Sequence, residues 1–518
     1  MTDETERPQH KWWTLGVVCV AVFMLLLDIT IVNIALPDIQ RDLHSSFSDL
    51  QWVVDAYALM LASVLLTSGS LADLLGRRRI FIAGVVIFTV ASVGCGLSTT
   101  PLMLNLMRGV QGIGGAMMFA TSLAIIAQAF PPRELGTAFG VYGATIGGAT
   151  AIGPLAGGAL TQGLGWEWIF FVNVPIGVFA VFGALTRVAE SRDERGARID
   201  FPGLITWSGG LFLLIFALVR GNAEGWGSTL ILSLFAGSAV LLVAFVLIER
   251  ASTHPMLDLE LFRNPSFSGA AIVGWSLSAG MFAMFLYLTL YVQNVLGYSP
   301  LAAGVRFLPI TVLSFFVAPV AGRLTNSVPV RMLLGTGMAL TGFGLVLMIG
   351  LHAGTSWTHL LPGFFLTGAG IGMVNPPLAE TQIGVVDPRR SGMASGIGNT
   401  FRQVGIATGI AGLGAIFSHA VRVKTLAALG KLHLGLAGIP GAALDTGQVH
   451  AIAAHAPPAH RAAYLTALQT GFTDAFNELL IIGAIVCLAG ALAGYAMIRR
   501  RDFVAHQAPG EAPAPAAA

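Results

Sequence analysis

A few ionisable and strongly polar side chains stand where the chain is otherwise apolar. Asp28 and Asn33 interrupt "LLLDITIVNIALPDI" (25–39), and Asp55 sits in "LQWVVDAYAL" (50–59). Arg108 and Gln111 fall in "LMRGVQGIGGA" (106–116), and Arg402 and Gln403 in "SGMASGIGNTFRQVG" (391–405). A carboxylate isolated in hydrocarbon resists ionisation, and a neighbouring cation restores its charge. A group balanced between those influences can load a proton in one conformation and release it in another. Asp28 is the leading candidate for that exchange, Asp55 assists it or meets a cationic ligand, and Arg108 tunes the acid. The alternatives are structural: satisfied carboxylates at 28 and 55, and an arginine that snorkels to the outer surface.

The surroundings of these residues are of membrane type. The 518 residues are 55% hydrophobic and only 10% charged, with a mean hydropathy of +0.77, outside the range of ordinary soluble domains. A net charge of +2, with basic residues in short clusters at the ends of apolar runs, does not suggest nucleic-acid binding. Cys19, Cys95 and Cys487 lie inside apolar runs without pairing or metal-ligand spacing, and read as packing residues. The polar start "MTDETERPQHKWW" leads into a run longer than a signal-peptide core and without a small-residue cleavage site, so it reads as a retained first span.

A helix needs about 20 apolar residues to cross the hydrocarbon core. Fourteen segments meet that measure: 14–36, 51–72, 80–98, 102–129, 136–160, 167–187, 203–219, 229–248, 268–291, 301–322, 331–350, 358–380, 393–418 and 475–498. The alternative is twelve spans with a re-entrant middle pair. Alternate loops carry "GRRR" (76–79), "RVAESRDERGAR" (187–198), Arg250, Arg263, Arg323, Arg331, "PRR" (388–390) and "RRR" (499–501), and the intervening loops are nearly free of basic residues. The positive-inside rule then puts both termini in the cytoplasm.

The expected organisation is a cytoplasmic tail (1–13), a six-helix bundle (14–187), a linker (188–202), two inserted helices (203–248) and a second linker (249–267). A second six-helix bundle (268–498) carries an external loop (419–473), and a low-complexity cytoplasmic tail (499–518) follows. Gly112, Gly114, Arg133, Gly136, Ala138 and Gly140 match Gly368, Gly370, Arg389, Gly392, Ala394 and Gly396 at a constant offset of 256, an internal repeat that makes the bundles homologous and parallel in type.

Helical rise converts position to depth: Asp28, Asp55 and Arg108 all fall about 7 to 13 Å below the outer surface and can share a layer. Asn33 lies about 140° around the helix from Asp28. It shares a stripe with Thr30 and Pro37, where interhelical hydrogen bonding and substrate contact are both open. Arg402 and Gln403 near mid-membrane could line the opposite wall, or Arg402 could form an internal ion pair. Trp52, Tyr57, Met117, Phe119 and Tyr142 could form an adaptable lining or simply pack.

Two motifs concern the helix ends. "GSLADLLGRRRI" (69–80) combines glycines that permit a tight turn, an Asp73 able to accept from a neighbouring helix N-terminus, and arginines that cannot enter the bilayer. "GVYGATIGGATAIGPLAGG" (140–158) is rich in small residues that let helices touch backbone to backbone, and its Pro154 can kink the helix.

The first motif resembles the loop signature of the major facilitator superfamily through Gly69, Asp73, Gly76, Arg77 and Arg78. The resemblance implies a charged latch that stabilises the outward-open state, with Glu134 as a partner for Arg77. Gly140, Gly153, Pro154, Gly157 and Gly158 keep the spacing of that superfamily's antiporter motif, with Ala149 where it often has Gly, which implies export. "LDITIVNIALPDI", "LQWVVDAYAL" and "WEWIFFVNVPIG" (166–177) are similar to the fourteen-helix drug:proton antiporter branch, the EmrB/QacA-type multidrug exporters. The implied fold is all-α and polytopic, two six-helix bundles with two inserted central helices. The implied activity is proton-coupled export of hydrophobic or cationic drugs by alternating access. Members with broad dication substrates carry an acid inside helix ten; Arg306 stands there instead and joins the cavity candidates.

The remaining classes have little support. No G-x-x-x-x-G-K-[ST], H-E-x-x-H or G-x-S-x-G occurs, and the cytoplasmic loops are too short for a nucleotide-binding domain. No enzyme activity, catalytic group, metal or cofactor is expected, the drive being the proton gradient. Expected partners are small molecules, protons, the lipid bilayer and, in a double-membrane organism, an adaptor protein. A dedicated exporter of one metabolite, such as a self-made antibiotic or amino acid, is the rival within transport, and a non-transporting sensor the rival outside it. Arginine far outnumbers lysine and Ala and Gly abound, which fits a GC-rich bacterial genome and a bacterial inner membrane.

Overall fold

A computed structural model describes residues 10–45, 47–192, 200–252, 255–430, 444, 449–454 and 460–503. Asn33, Pro37 and Pro154 lie in helices, but their side chains fall outside the description, so the readings that rest on those side chains do too. Fourteen long helices follow one another: α1 (Lys11–Asp42), α2 (Phe47–Leu75), α3 (Arg77–Gly96), α4 (Pro101–Ala129), α5 (Pro132–Gly163), α6 (Trp168–Arg187), α7 (Phe201–Glu224) and α8 (Thr229–Ala251). The second half holds α9 (Pro265–Val295), α10 (Pro300–Leu324), α11 (Val330–Leu347), α12 (Leu361–Gly384), α13 (Ser391–Gly430) and α14 (Arg461–Met497).

Their ends obey local chemistry. Thr100, Asp200 and Ser299 cap α4, α7 and α10 with side-chain oxygens that accept first-turn amides, each followed by a proline in the first turn, where a missing N–H costs nothing. Gly76 turns α2 into α3 at φ +114°, a backbone state that side chains with a Cβ rarely adopt.

Twelve of the described helices are long and apolar enough to cross a bilayer by composition; α5 and α12 are not among them. Both lie between the halves, α5 against α10 and α12, where glycines and polar groups face protein rather than lipid. An even number of spans brings both chain ends to the face that carries the basic clusters, the cytoplasmic face. α8 is the most lipid-exposed helix, burying only Ile231, Ser238, Phe245 and Glu249.

The sequence repeat is a packing repeat. A Cβ on Gly112 would strike the Tyr57 carbonyl of α2, and one on Gly368 the Ile310 carbonyl of α10. Gly114 packs against Gly84 and Phe88 of α3, and Gly370 against Gly337 and Thr341 of α11. Gly136 and Gly140 meet Gly322 and Pro319 of α10, whereas Gly392 and Gly396 meet Gly69 and Leu65–Leu66 of α2. Two equivalent seams, α5–α10 and α2–α13, therefore join the halves.

The external segment is shorter than the polarity of 419–473 suggests. α13 runs 40 residues, about 60 Å, well beyond a hydrocarbon core of about 30 Å, and α14 already begins at Arg461. Beyond the expected span ends the two helices stay paired: Thr425 fits the notch at Gly471, and Lys424 Nζ lies 2.7 Å from Glu478 Oε1. Most of the remainder, 431–460, lies outside the described residues, as does 504–518 of the tail.

Candidate functional site

Asp28 is 1% exposed in the middle of α1, and among the described residues the hydrogen-bond partners of its carboxylate are donors. Arg108 Nη1 on α4 donates to Oδ2 at 2.6 Å. Gln111 Nε2, one helical turn further on, donates to Oδ1 at 2.9 Å, and Asn173 Nδ2 of α6 donates to the same oxygen at 3.2 Å. Ser92 of α3 accepts from Gln111 (2.7 Å) and from Asn173 (3.2 Å), so the network spans four helices.

Arg108 is held as tightly as the acid. Its Nη1 also reaches Gln111 Oε1 (2.7 Å), its Nε donates to the Val53 carbonyl of α2 (2.9 Å), and its guanidinium lies 4.3 Å from the centre of the Tyr57 ring. It does not snorkel: at 1% exposure it is among the largest fully buried side chains.

Asp28 and Arg108 thus meet in one layer, and Gln111 and Tyr57 join them as parts of the site. Asp55 shares the layer, two residues from Val53, but faces elsewhere: the charge that acts on it is Arg220 of α7. Trp52 turns the same way and packs on Phe216 at 5.5 Å. The α2 surface that carries Asp55 and Trp52 is covered by an inserted helix rather than aimed at Asp28.

At the cytoplasmic end, the latch is built around Asp73 and Arg77. Arg77 Nε donates to Asp73 Oδ1 (2.9 Å), while its Nη2 donates to the carbonyls of Pro388 and Arg389 (both 2.9 Å) in the other half. Asp73 accepts the Gly392 and Met393 amides at the first turn of α13 (3.0 and 2.8 Å), where a helix N-terminus favours negative charge. Arg78 binds the linker, donating to the Val188 carbonyl and, through its own amide, to Glu190.

Glu134 is not the partner of Arg77. It pairs with Lys11 Nζ at 2.7 Å, because the first turn of α5 lies beside the start of α1, while Arg77 is drawn into the seam by the Pro388 and Arg389 carbonyls. At the equivalent place on the α5–α10 seam, Asn326 Nδ2 donates to the Arg133 carbonyl (3.3 Å), a neutral counterpart of the charged latch.

The glycines of 140–158 do unequal things. Gly140 presses on Pro319 across the seam, and Gly153 receives Thr30 of α1, so Thr30 packs at a helix contact. Gly157 is buried, whereas a Cβ on Gly158 would meet nothing within 4 Å, so close approach does not explain that position.

The other cavity candidates separate likewise. Tyr142 is buried and 3.0 Å from Ser122, Phe119 lends its carbonyl to Asn399 of α13 (3.4 Å), and Arg402 lies within electrostatic reach of Tyr142 from the opposite half. Arg402 and Gln403 are partly exposed, three turns into α13. Met117, also partly exposed, has its Cβ against Gly84 of α3, and Arg306 stacks on Tyr298 at 3.5 Å near the outer end of α10.

Three members of the Asp28 network were missed from the sequence. Asn173 lies in the quoted "WEWIFFVNVPIG", yet an Asn two residues before a proline reads as a turn rather than a ligand. Ser92 gives no signal in an apolar run, and Cys95, read as packing, also has its thiol 3.8 Å from Gln111 Oε1.

The chain matches the Major Facilitator Superfamily over residues 18–410. It is 38% identical over 412 residues to the puromycin resistance protein pur8 of Streptomyces alboniger, covering 79% of this chain and 82% of that one. It is 33% identical over 513 residues to the tetracenomycin C resistance and export protein of Streptomyces glaucescens, covering 98% and 95%. It is 36% identical over 406 residues to the multidrug resistance protein Stp of Mycobacterium tuberculosis (strain CDC 1551 / Oshkosh), covering 78% and 75%. In fold it resembles the human organic anion transporter MFSD10 (TETRAN), with a TM-score of 0.60 at 14% identity over 92% of this chain and 99% of that one. The relatives are antibiotic- and drug-resistance transporters, and the chain belongs to the Major Facilitator Superfamily.

Proposed function

We propose that this protein is a proton-coupled exporter of hydrophobic or cationic drugs and toxic compounds in a bacterial cell membrane, working by alternating access. The single observation that carries the coupling is the buried Asp28–Arg108 pair. Among the described residues the hydrogen-bond partners of Asp28 are donors, so the site as built fits the carboxylate. A proton on Oδ2 removes the charge that Arg108 pairs with, and one on Oδ1 competes with Gln111 and Asn173; those donors sit on α4 and α6. Proton binding is thereby tied to helix rearrangement. The sealed seams at the cytoplasmic ends supply the second element, a gate with two arrangements.

On this reading the protein is a transporter without enzyme activity or cofactor, its partners are small-molecule substrates, protons and the bilayer, and an adaptor joins it in a double-membrane organism. Asp55 keeps the assisting role on this reading, from a different face of α2, where Arg220 of α7 is the charge that acts on it. One observation favours a narrower cargo: the relative that spans 98% of this chain is named for resistance to and export of one antibiotic, tetracenomycin C. Dedicated export of one metabolite, such as a self-made antibiotic or amino acid, is therefore the second reading.

Susceptibility of a deletion strain and an overexpressing strain to a broad compound panel, with and without an uncoupler, separates the two. Uncoupler-sensitive resistance to many chemotypes supports the broad exporter, and resistance to one supports the narrow one. Resistance that ignores the uncoupler overturns proton coupling in both.

A further inference from the structure

The lipid-exposed α8 buries one acid, Glu249, in its last turn, and the mechanism above does not use it. Across from it Asp200 caps α7, its Oδ1 accepting the Gly203 amide at 2.9 Å. Glu249 Oε2 accepts the Leu257 amide at 3.2 Å from the linker that follows α8. Each carboxylate thus has one oxygen satisfied by backbone. The other two, Asp200 Oδ2 and Glu249 Oε1, are buried and accept no hydrogen bond among the described residues. They also converge: a Cβ built on Gly203 would lie 2.7 Å from the first and 2.8 Å from the second.

Glu249 is 4% exposed. The charged groups of the packed elements are engaged elsewhere: Asp258 with Arg390 at 2.8 Å, Glu260 with Arg263 at 3.8 Å, and Asp73 with Arg77 at the end of α2. Arg250, next in the chain, is exposed. Among the described residues no cation pairs with either carboxylate; two carboxylates so placed cannot both ionise cheaply, and one proton between them satisfies both orphan oxygens at once.

We propose that Asp200 and Glu249 share one proton, forming a second protonation site at the cytoplasmic end of the inserted hairpin, distinct from Asp28. The linker held by Glu249 touches both sides of the latch. The Met256 carbonyl accepts Ser70 Oγ of α2 at 3.3 Å, and Asp258 grips Arg390 beside the start of α13. Loss of the shared proton sets two negative charges against each other below that linker and loosens its hold, so the site reports cytoplasmic pH to the latch.

Infrared spectra of the purified full-length protein in lipid nanodiscs read the proton directly, without requiring transport, so failure here is distinguishable from failure of the exporter reading. At neutral pH the wild type should show a protonated-carboxyl stretch that Asp200→Asn and Glu249→Gln each abolish and Asp28→Asn leaves in place. A stretch that survives both substitutions, or is lost with only one of them, overturns the sharing. If neither variant can be purified, Gly203→Ala puts a methyl group against both oxygens and should shift the band; an unshifted band overturns the site. For the latch, a cysteine at position 256 (Met256→Cys) should label faster from the cytoplasmic side as pH rises, by more than the growing thiolate fraction accounts for, as calibrated on an exposed cysteine at position 250 (Arg250→Cys). That excess should vanish in Glu249→Gln, and an unchanged excess overturns the link.

Discussion

Arg108 Nη1 stands 2.6 Å from Asp28 Oδ2 across the α4–α1 contact, and both residues are 1% exposed. Burying two charges costs several kcal/mol per ion unless geometry and further hydrogen bonds compensate. Here the remaining valences are filled by Gln111, Asn173 and the Val53 carbonyl. The consequence is asymmetric: the intact pair is neutral and well satisfied, while either partner alone is an uncompensated charge in a helix bundle.

Asp28→Asn should abolish uphill, proton-driven efflux, and Arg108→Met should uncouple it as well. Each removes one charge of the buried pair and strands the other, so each should destabilise by about 3–5 kcal/mol, with Asn keeping the size and a hydrogen-bonding side chain at position 28. Proton-driven drug flux and melting temperature in proteoliposomes or detergent measure both. Full active efflux in Asp28→Asn would falsify the assignment of the coupling acid.

Asn173 tests whether the network works as a unit. Asn173→Leu keeps the size but removes a donor from both Asp28 and Ser92, a loss of about 1–3 kcal/mol. Because the lost donor belongs to the coupling network, proton-driven efflux should fall, with drug affinity little changed. A substitution that alters affinity and leaves the maximal efflux rate in place would make Asn173 a substrate contact instead.

These two cases show what sequence can reveal. Asp28 and Arg108 stood out because charge in an apolar run is costly, and the 256-residue repeat marked the glycines on which the seams are built. Asn173, Ser92 and the true partner of Glu134 did not, since a small polar residue or a terminal acid has many satisfactory environments and only packing selects among them. Asp55 shows what depth leaves open. Depth fixes a layer and not a direction, and the covering α7 supplies Arg220 from a helix whose placement no periodicity announces.

The seams distinguish glycines that need to be bare from those that do not. Gly392→Ala would bring a Cβ to 2.5 Å from Asp73 Oδ1 and 2.7 Å from the Gly69 carbonyl, both at the latch. Overpacking of this kind costs about 1–3 kcal/mol and falls on the inner-closed state alone. Gly158→Ala, with nothing within 4 Å, should be neutral. Double electron–electron resonance between spin labels on the cytoplasmic ends of α2 and α13 should show wider separations for the first variant and wild-type separations for the second.

The latch itself gives the sharpest contrast between two acids at the same face. Asp73→Asn loses the charge that binds the Gly392 and Met393 amides and the Arg77 guanidinium. Hydrogen bonds to a charged group contribute about 1.5–3 kcal/mol, so the inner-closed population should fall by about tenfold or more. Glu134→Gln breaks only the partly exposed pair with Lys11, whose side chains are 20% and 40% accessible, and such pairs contribute about 0–1 kcal/mol. Cysteine labelling at the cytoplasmic ends of α2 and α13 should therefore accelerate strongly in Asp73→Asn and hardly at all in Glu134→Gln. Equal acceleration in the two would return Glu134 to the latch, and with it the pairing to Arg77 that the Lys11 contact replaces.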